Sequence, residues 1–144
     1  MLIRMTPEKI AEFWAILKPA IAESLPPIAA QAESTMFNML TRMVSAEMQC
    51  WVSVRDNTII DGVVVTGVAE DFFSGSLSLL IYAFYSSRMG KESWLEGVET
   101  LKKYARGKGC TMLSAYSANP MVARMAEKSG GSAEYRYITI PTED

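Results

Sequence analysis

At 144 residues the chain has the length of one domain, enough to bury roughly two thirds of its unfolded surface without a disulfide or metal staple. A formal net charge of −2 argues against nucleic-acid or anionic-membrane partners, which favour a Lys/Arg excess. With no histidine and only two cysteines, a Ser-His-Asp or Cys-His triad and a Cys/His zinc site are excluded. Cys50 and Cys110 share no motif spacing, and each opens an apolar run. They read as reduced, buried and structural. The basic cluster Lys102, Lys103, Arg106 and Lys108 reads as a solvated helix face. No apolar run approaches the ~18 residues of a membrane span and no signal peptide precedes the first element. A soluble, cytoplasmic protein is expected, or one packaged in a virion.

Met1 to Met5 alternates weakly, as a short first strand would. Thr6-Pro7-Glu8 is a helix start, with a hydroxyl cap, proline at the first position and an acid in the first turn. Ile10, Phe13, Trp14 and Leu17 come next at helical spacing until Pro19 interrupts them, and Pro26-Pro27 ends the segment after it. A second helix is predicted over 30–47, with Met36, Met39, Leu40, Met43 and Val44 as its apolar stripe, suited to a core or to a partner's groove. Three strands come after it, over 50–54, 58–68 and 76–85, with turns at Asp56-Asn57 and 70–75. Their short connections read as an antiparallel meander. A helix over 91–105 stops at Gly107 and Gly109, a strand covers 110–116, and a helix over 119–128 ends on Gly130-Gly131. Ala133 to Ile140 alternates as a last strand, so that strand, helix and strand imply a parallel crossover. The sum is one α/β domain spanning 1–144, with a mixed, mostly antiparallel central sheet flanked by helices.

This order (strand, two helices, three strands, helix, strand, helix, strand) resembles the GNAT superfamily of acetyl-CoA-dependent N-acetyltransferases. Three stretches carry the resemblance. Asn57 to Gly62 is similar to the family's hairpin between its second and third strands. Phe84-Tyr-Ser-Ser-Arg-Met-Gly-Lys-Glu-Ser-Trp94 stands where the family holds Gln/Arg-x-x-Gly-x-Gly/Ala, whose amides cradle the coenzyme A pyrophosphate at a helix N-terminus. Counted back from Gly109, Met89 takes the Arg/Gln position, and Glu92 and Trp94 take the two glycine positions. Shifted by one, Arg88 is in place, and Lys91 and Ser93 replace the glycines. Asn119, Val122, Met125, Glu127, Lys128 and Gly130 match the family's Asn-x-x-Ala-x-x-Leu-Tyr-Glu-Lys-x-Gly-Phe, with Ala126 at the tyrosine and Gly131 at the phenylalanine. Such a helix start and glycine stop also arise without any family.

The resemblance implies acetyl-CoA as cofactor and an amine acceptor, small molecule or protein. Backbone partners for the pantetheine arm would come from Phe84 and Tyr85. Arg88, Gly90, Lys91 and Ser93 would lie at the pyrophosphate, and Tyr116 and Asn119 on the far side of the opened sheet. The family's acid is replaced by Ala126, which cannot donate a proton. Tyr85 and Tyr116 are the catalytic candidates in its stead, with Tyr135 and Tyr137 behind them. Glu70 and Asp71 are either a base or solvated turn residues. The acceptor site would be built from 19–35 and 69–75. Two readings result: an N-acetyltransferase with a degenerate loop, or a catalytically inactive GNAT-fold binding or structural protein. The second resembles acetyltransferase-like proteins of bacteriophages, with the Met-rich helix and Phe72-Phe73 offering a protein interface. An unrelated α/β module is the third class.

Overall fold

A computed structural model describes residues 1–26, 29, 33–87 and 90–143, and for Lys91 the backbone only. In chain order the elements are β1 (Leu2–Arg4), α1 (Pro7–Glu12), α2 (Trp14–Ser24), α3 (Glu33–Val44), β2 (Met48–Arg55), β3 (Ile59–Glu70) and β4 (Leu77–Ser86). The last three are α4 (Lys91–Gly107), β5 (Met112–Ala115) and α5 (Pro120–Lys128). The sheet order is β1-β2-β3-β4-β5. The first three pairings are antiparallel and β4–β5 is parallel, so α4 is the crossover.

Helices cover both faces of this sheet, and alternation along each strand divides the core between them. On one face Ile10, Leu17, Ile21, Met36, Met39 and Met43 of α1–α3 pack on Cys50, Val52, Val63 and Val65. On the other, Leu101 and Ala105 of α4 meet Leu2, Trp51, Val64 and Leu79. The methionine stripe is thus core, which removes α3's apolar face as a partner groove. On the α4 face runs a buried polar chain. Trp51 Nε1 donates to Thr66 Oγ1 at 2.9 Å, and Thr66 Oγ1 donates to Gln49 Oε1 at 2.9 Å. It satisfies groups that would be costly to bury alone. Both cysteines are buried and free, and desolvation pushes the Cys50 thiol up to about 12.

Local chemistry sets most boundaries. Thr6 Oγ1 caps α1 by accepting from Lys9 N at 3.3 Å, with Pro7 at the first position. The helix break falls at Phe13 (φ −99°, ψ 13°) and not at Pro19, which lies inside α2. Restarting at Trp14 leaves Pro19 only one missing helical donor, the N–H that would return to the Ala15 carbonyl. Helices α4 and α5 end alike. Gly109 (φ +79°) and Gly130 (φ +87°) take the left-handed position. The next N–H reaches back five residues, Cys110 to Ala105 O and Gly131 to Ala126 O, both at 2.9 Å.

The C-terminal strand expected over 133–140 is not formed. Residues 131–140 carry no sheet pairing, and Tyr135, Tyr137, Ile138 and Ile140 are exposed. The parallel crossover is therefore β4-α4-β5 alone. Alternation shows only that a segment can be a strand; the pairing edge must also be supplied. Among the described residues no helix is long and apolar enough to cross a membrane.

Candidate functional site

The parallel pairing of β5 with β4 runs from Ser78–Met112 to Ile81–Ala115, while β4 itself continues to Ser86. Tyr116 N donates to Ile81 O at 3.4 Å, and the chain then leaves the sheet towards Asn119 and α5. The second half of β4 therefore borders a wedge-shaped opening. The break coincides with a bulge: β3 pairs Thr66 with Ile81 and then Val65 with Ala83, so Tyr82 is the extra residue on β4. A bulge bends and twists its strand locally and ends regular pairing.

The extra residue also reverses which residues face which helices. Ile81 and Phe84 pack on the α4 side, and Tyr82, Ala83 and Tyr85 on the α1–α3 side. Backbone direction obeys the same count. Ser87 N donates to Asp61 O at 3.0 Å. Two residues back, Tyr85 therefore also turns its backbone to β3, opposite Val63. Phe84 turns its N–H and C=O away from β3, into the opening. Of the two residues expected to offer backbone partners, Phe84 is placed to do so and Tyr85 is not.

On the α4 side the Phe84 ring meets Trp94 edge-on, centroids 5.4 Å apart at 90°. Trp94 also lines a cavity of about 150 Å3 with Leu95, Met125 and Lys128, between α4 and α5. Its Nε1 is buried without a hydrogen-bond partner among the described residues. Below it, Gly90 is the N-cap of α4 and supplies no side-chain cap, and a Cβ there would meet nothing within 4 Å. The first bond of the helix is Trp94 N to Gly90 O at 3.0 Å, so the amides of residues 91–93 point out of the helix start. Ser93 and Glu92 are exposed in that turn. Arg88 and Met89 lie outside the described residues, as does the Lys91 side chain. Asn119 acts structurally, since its Oδ1 accepts from Met121 N at 3.0 Å and caps α5. Ala126 and the Gly131 amide are held together by the helix stop, where a Cβ on Gly131 would lie 3.0 Å from Ala126 O.

On the opposite side three tyrosines line up. The Tyr82 and Tyr116 rings are 6.0 Å apart, and Tyr116 and Tyr137 5.5 Å. Burial, and after it the neighbouring Tyr116, raises the Tyr82 phenol above the usual tyrosine value. Tyr116 is thus at the mouth of the opening, and Tyr137 joins it from the C-terminal segment. Tyr135 is almost fully exposed, at 94%. Tyr85 lies further along β4 beside a cavity of about 230 Å3, walled by Ile16, Pro19, Ala20 and Glu23 of α2 and by Ile60 and Val63 of β3. Both cavities fall below the ~300–1,000 Å3 of most small-molecule sites.

The loop after β3 is far from all of this. It joins the start of β4, and ten residues at ~3.3 Å each put it roughly 30 Å from the strand's far end. Asp71 accepts from Phe73 N, Ser74 N and Ser74 Oγ. Those bonds, led by the Ser74 amide, hold its carboxyl below the usual range. Glu70 ends β3 opposite Leu77, Asp71 is a turn residue, and 69–75 is no part of the opening. Sequence reasoning missed Tyr82, because Leu79 to Tyr85 is apolar or aromatic throughout and carries no trace of where the bulge falls. It also missed Asp61, the bulged residue of β3 opposite Ser53–Val54, whose Oδ1 is buried without a hydrogen-bond partner among the described residues.

The sequence matches no family model and no curated protein. The fold does match solved structures over essentially its whole length. A probable acetyltransferase superposes with TM-score 0.71 at 14% identity, covering 100% of this chain and 99% of the other. The aminoglycoside N-acetyltransferase AAC(6')-Iy in complex with CoA gives TM-score 0.74 at 12% identity, over 100% and 95%. The ribosomal-protein-alanine N-acetyltransferase of Brucella melitensis biovar Abortus 2308 gives 0.68 at 13%, over 98% and 99%. The chain has the GNAT fold.

Proposed function

We propose that the chain is an acyl-CoA-dependent N-acyltransferase with acetyl-CoA as donor and a primary amine as acceptor. The observation that carries this reading is the opening of the sheet at the Tyr82 bulge beside the uncapped start of α4. The residues present suit the ligand at both ends. Outward amides of residues 91–93 at the positive end of a 17-residue helix match a pyrophosphate, and the Phe84 backbone matches an amide-bearing arm. When bound, the thioester would supply the activated acyl group. Bulged backbone at Tyr82 would polarise its carbonyl. The Tyr82 phenol, raised by burial, would be protonated at neutral pH and would supply the proton that Ala126 cannot, with Tyr116 beside it.

Calorimetric titration with acetyl-CoA tests the reading. Binding below millimolar concentration is expected, with at least a tenfold loss in Gly90→Glu, whose side chain meets open space and so leaves the fold intact. Absence of submillimolar binding removes the reading. The Trp94–Phe84 contact and the Glu92 carboxylate favour a second one, a catalytically inactive binding protein, which takes in a virion-associated role for a bacteriophage-encoded chain. Binding without acetyl transfer to any of a panel of amines would select it.

A further inference from the structure

The hairpin tip between β3 and β4 presents two phenylalanines to solvent. Phe72 is 91% and Phe73 94% exposed, and their rings meet edge-on with centroids 5.3 Å apart. The loop that carries them is fixed from within. Asp71 Oδ2 accepts from Phe73 N at 3.2 Å, from Ser74 N at 2.9 Å and from Ser74 Oγ at 2.8 Å. Asp71 N donates to Ser76 O at 2.8 Å, and Gly75 N to Asp71 O at 3.0 Å. The rings are thus offered by a loop that needs no further ordering, which removes one of the usual costs of binding.

Cations stand beside this tip. Leu77, the first residue of β4, accepts from Thr111 N at 2.9 Å and packs with Tyr104 on the α4-side core. The end of α4 and the turn after it therefore lie next to the loop. Arg4 Cζ and Lys108 Nζ are 5.1 and 5.6 Å from the centre of the Tyr104 ring, and Lys103 and Arg106 are exposed on the same end of the helix. None of these four cations is in an ion pair among the described residues. They outnumber the two acids of the hairpin, Glu70 and Asp71, and the Asp71 charge is met by the amides of its own loop. The net charge of −2 is an average over the chain, and this end is positive.

A convex apolar tip beside unpaired cations fits a receptor that is anionic at its surface and apolar beneath. Rings standing clear of the body would need a groove shaped to them on a protein, whereas a bilayer yields to any shape. Lysine and arginine suit anionic headgroups, a tyrosine ring suits the headgroup level, and phenyl rings suit the acyl boundary.

We infer that this end of the molecule docks on an anionic lipid surface, with Phe72 and Phe73 inserted and Arg4, Lys103, Arg106 and Lys108 on the headgroups. The inference does not rest on the function proposed above, and the length of β4 keeps the opening clear of the surface. Co-sedimentation with vesicles of phosphatidylcholine, alone and mixed with phosphatidylserine, tests it. Binding to the mixed vesicles is expected to be about tenfold tighter or more, and the difference should shrink as salt is raised. Phe72→Ser combined with Phe73→Ser should weaken binding to the mixed vesicles by about tenfold or more. Both sites are exposed, so thermal unfolding should be unchanged in that variant. Arg106→Glu combined with Lys108→Glu should abolish the preference for phosphatidylserine. In Phe73→Trp the new indole should be quenched by lipid brominated in its acyl chains, beyond any quenching seen in the unsubstituted protein. Equal binding to the two kinds of vesicle, binding indifferent to the loss of both rings, or an unquenched indole overturns the inference. A protein that ignores both vesicles also overturns it, and leaves a groove on a protein as the receptor of the tip.

Discussion

The first 110 residues and the last 34 are built on different terms. In the first part helices cover both faces of the sheet, and Leu17, Ile21, Val65 and Leu79 are wholly buried. In the second, α5 buries no residue and 131–140 pairs with nothing. Yet the second part holds the stretch whose residues most resemble the GNAT pattern, Asn119 to Gly131. Diagnostic residues there are stops and caps, which act through the backbone and need no core. A segment can therefore announce a fold that other residues stabilise.

Substitutions can break this contrast. The largest expected effect is Leu79→Ala, a cavity against α4, at ~2–5 kcal/mol by urea denaturation. Met125→Ala in α5 should cost under ~1 kcal/mol, and a comparable loss at both would show α5 to be core. Next, Thr66→Val strands Trp51 Nε1 and Gln49 Oε1 together and should cost ~2–4 kcal/mol. The two glycine stops give a finer test. A Cβ in the left-handed region costs ~1–2 kcal/mol. For Gly109→Ala that should appear in global stability. For Gly130→Ala it should appear chiefly as faster amide exchange within α5. The smallest effect is at Cys50. Its folded thiol, at about 12, exceeds the ~8.5 of an unfolded one. The resulting stabilisation is whole below pH ~8.5 and is lost as pH climbs towards 12. At pH 8 the folded protein should leave Cys50 unreactive to a disulfide reagent, and urea should expose it.

The same division governs how much of the molecule is legible in its residues. Thr6-Pro7, Asn119-Pro120, Gly109 and Gly130 mark helix ends because each acts within one turn of chain. The core stripe of Met36, Met39 and Met43 is legible by period, though only packing separates a core from a groove. The break at Phe13, the bulge at Tyr82 and the unpaired 131–140 are not legible. Each depends on neighbours distant in sequence: α3 and the sheet for Phe13, β3 for the bulge, a free edge for the tail. The candidate site depends on the second of these. Position along the strand alone gives both Phe84 and Tyr85 a backbone role, and only the register shows that Phe84's backbone faces the opening while Tyr85's faces β3. Trp94 is legible as bulk at the loop, but its contact with Phe84 is not.

The bulge on β4 has a further meaning. Deleting one residue there would restore strict alternation of side chains along β4 and bring Phe84's outward-facing backbone into step for β5 to pair onward. The opening is thus written in a count of residues and not in their identity. Chains that keep the count can change nearly every letter, and the 12–14% identity of the superposable acetyltransferases is what such an encoding permits.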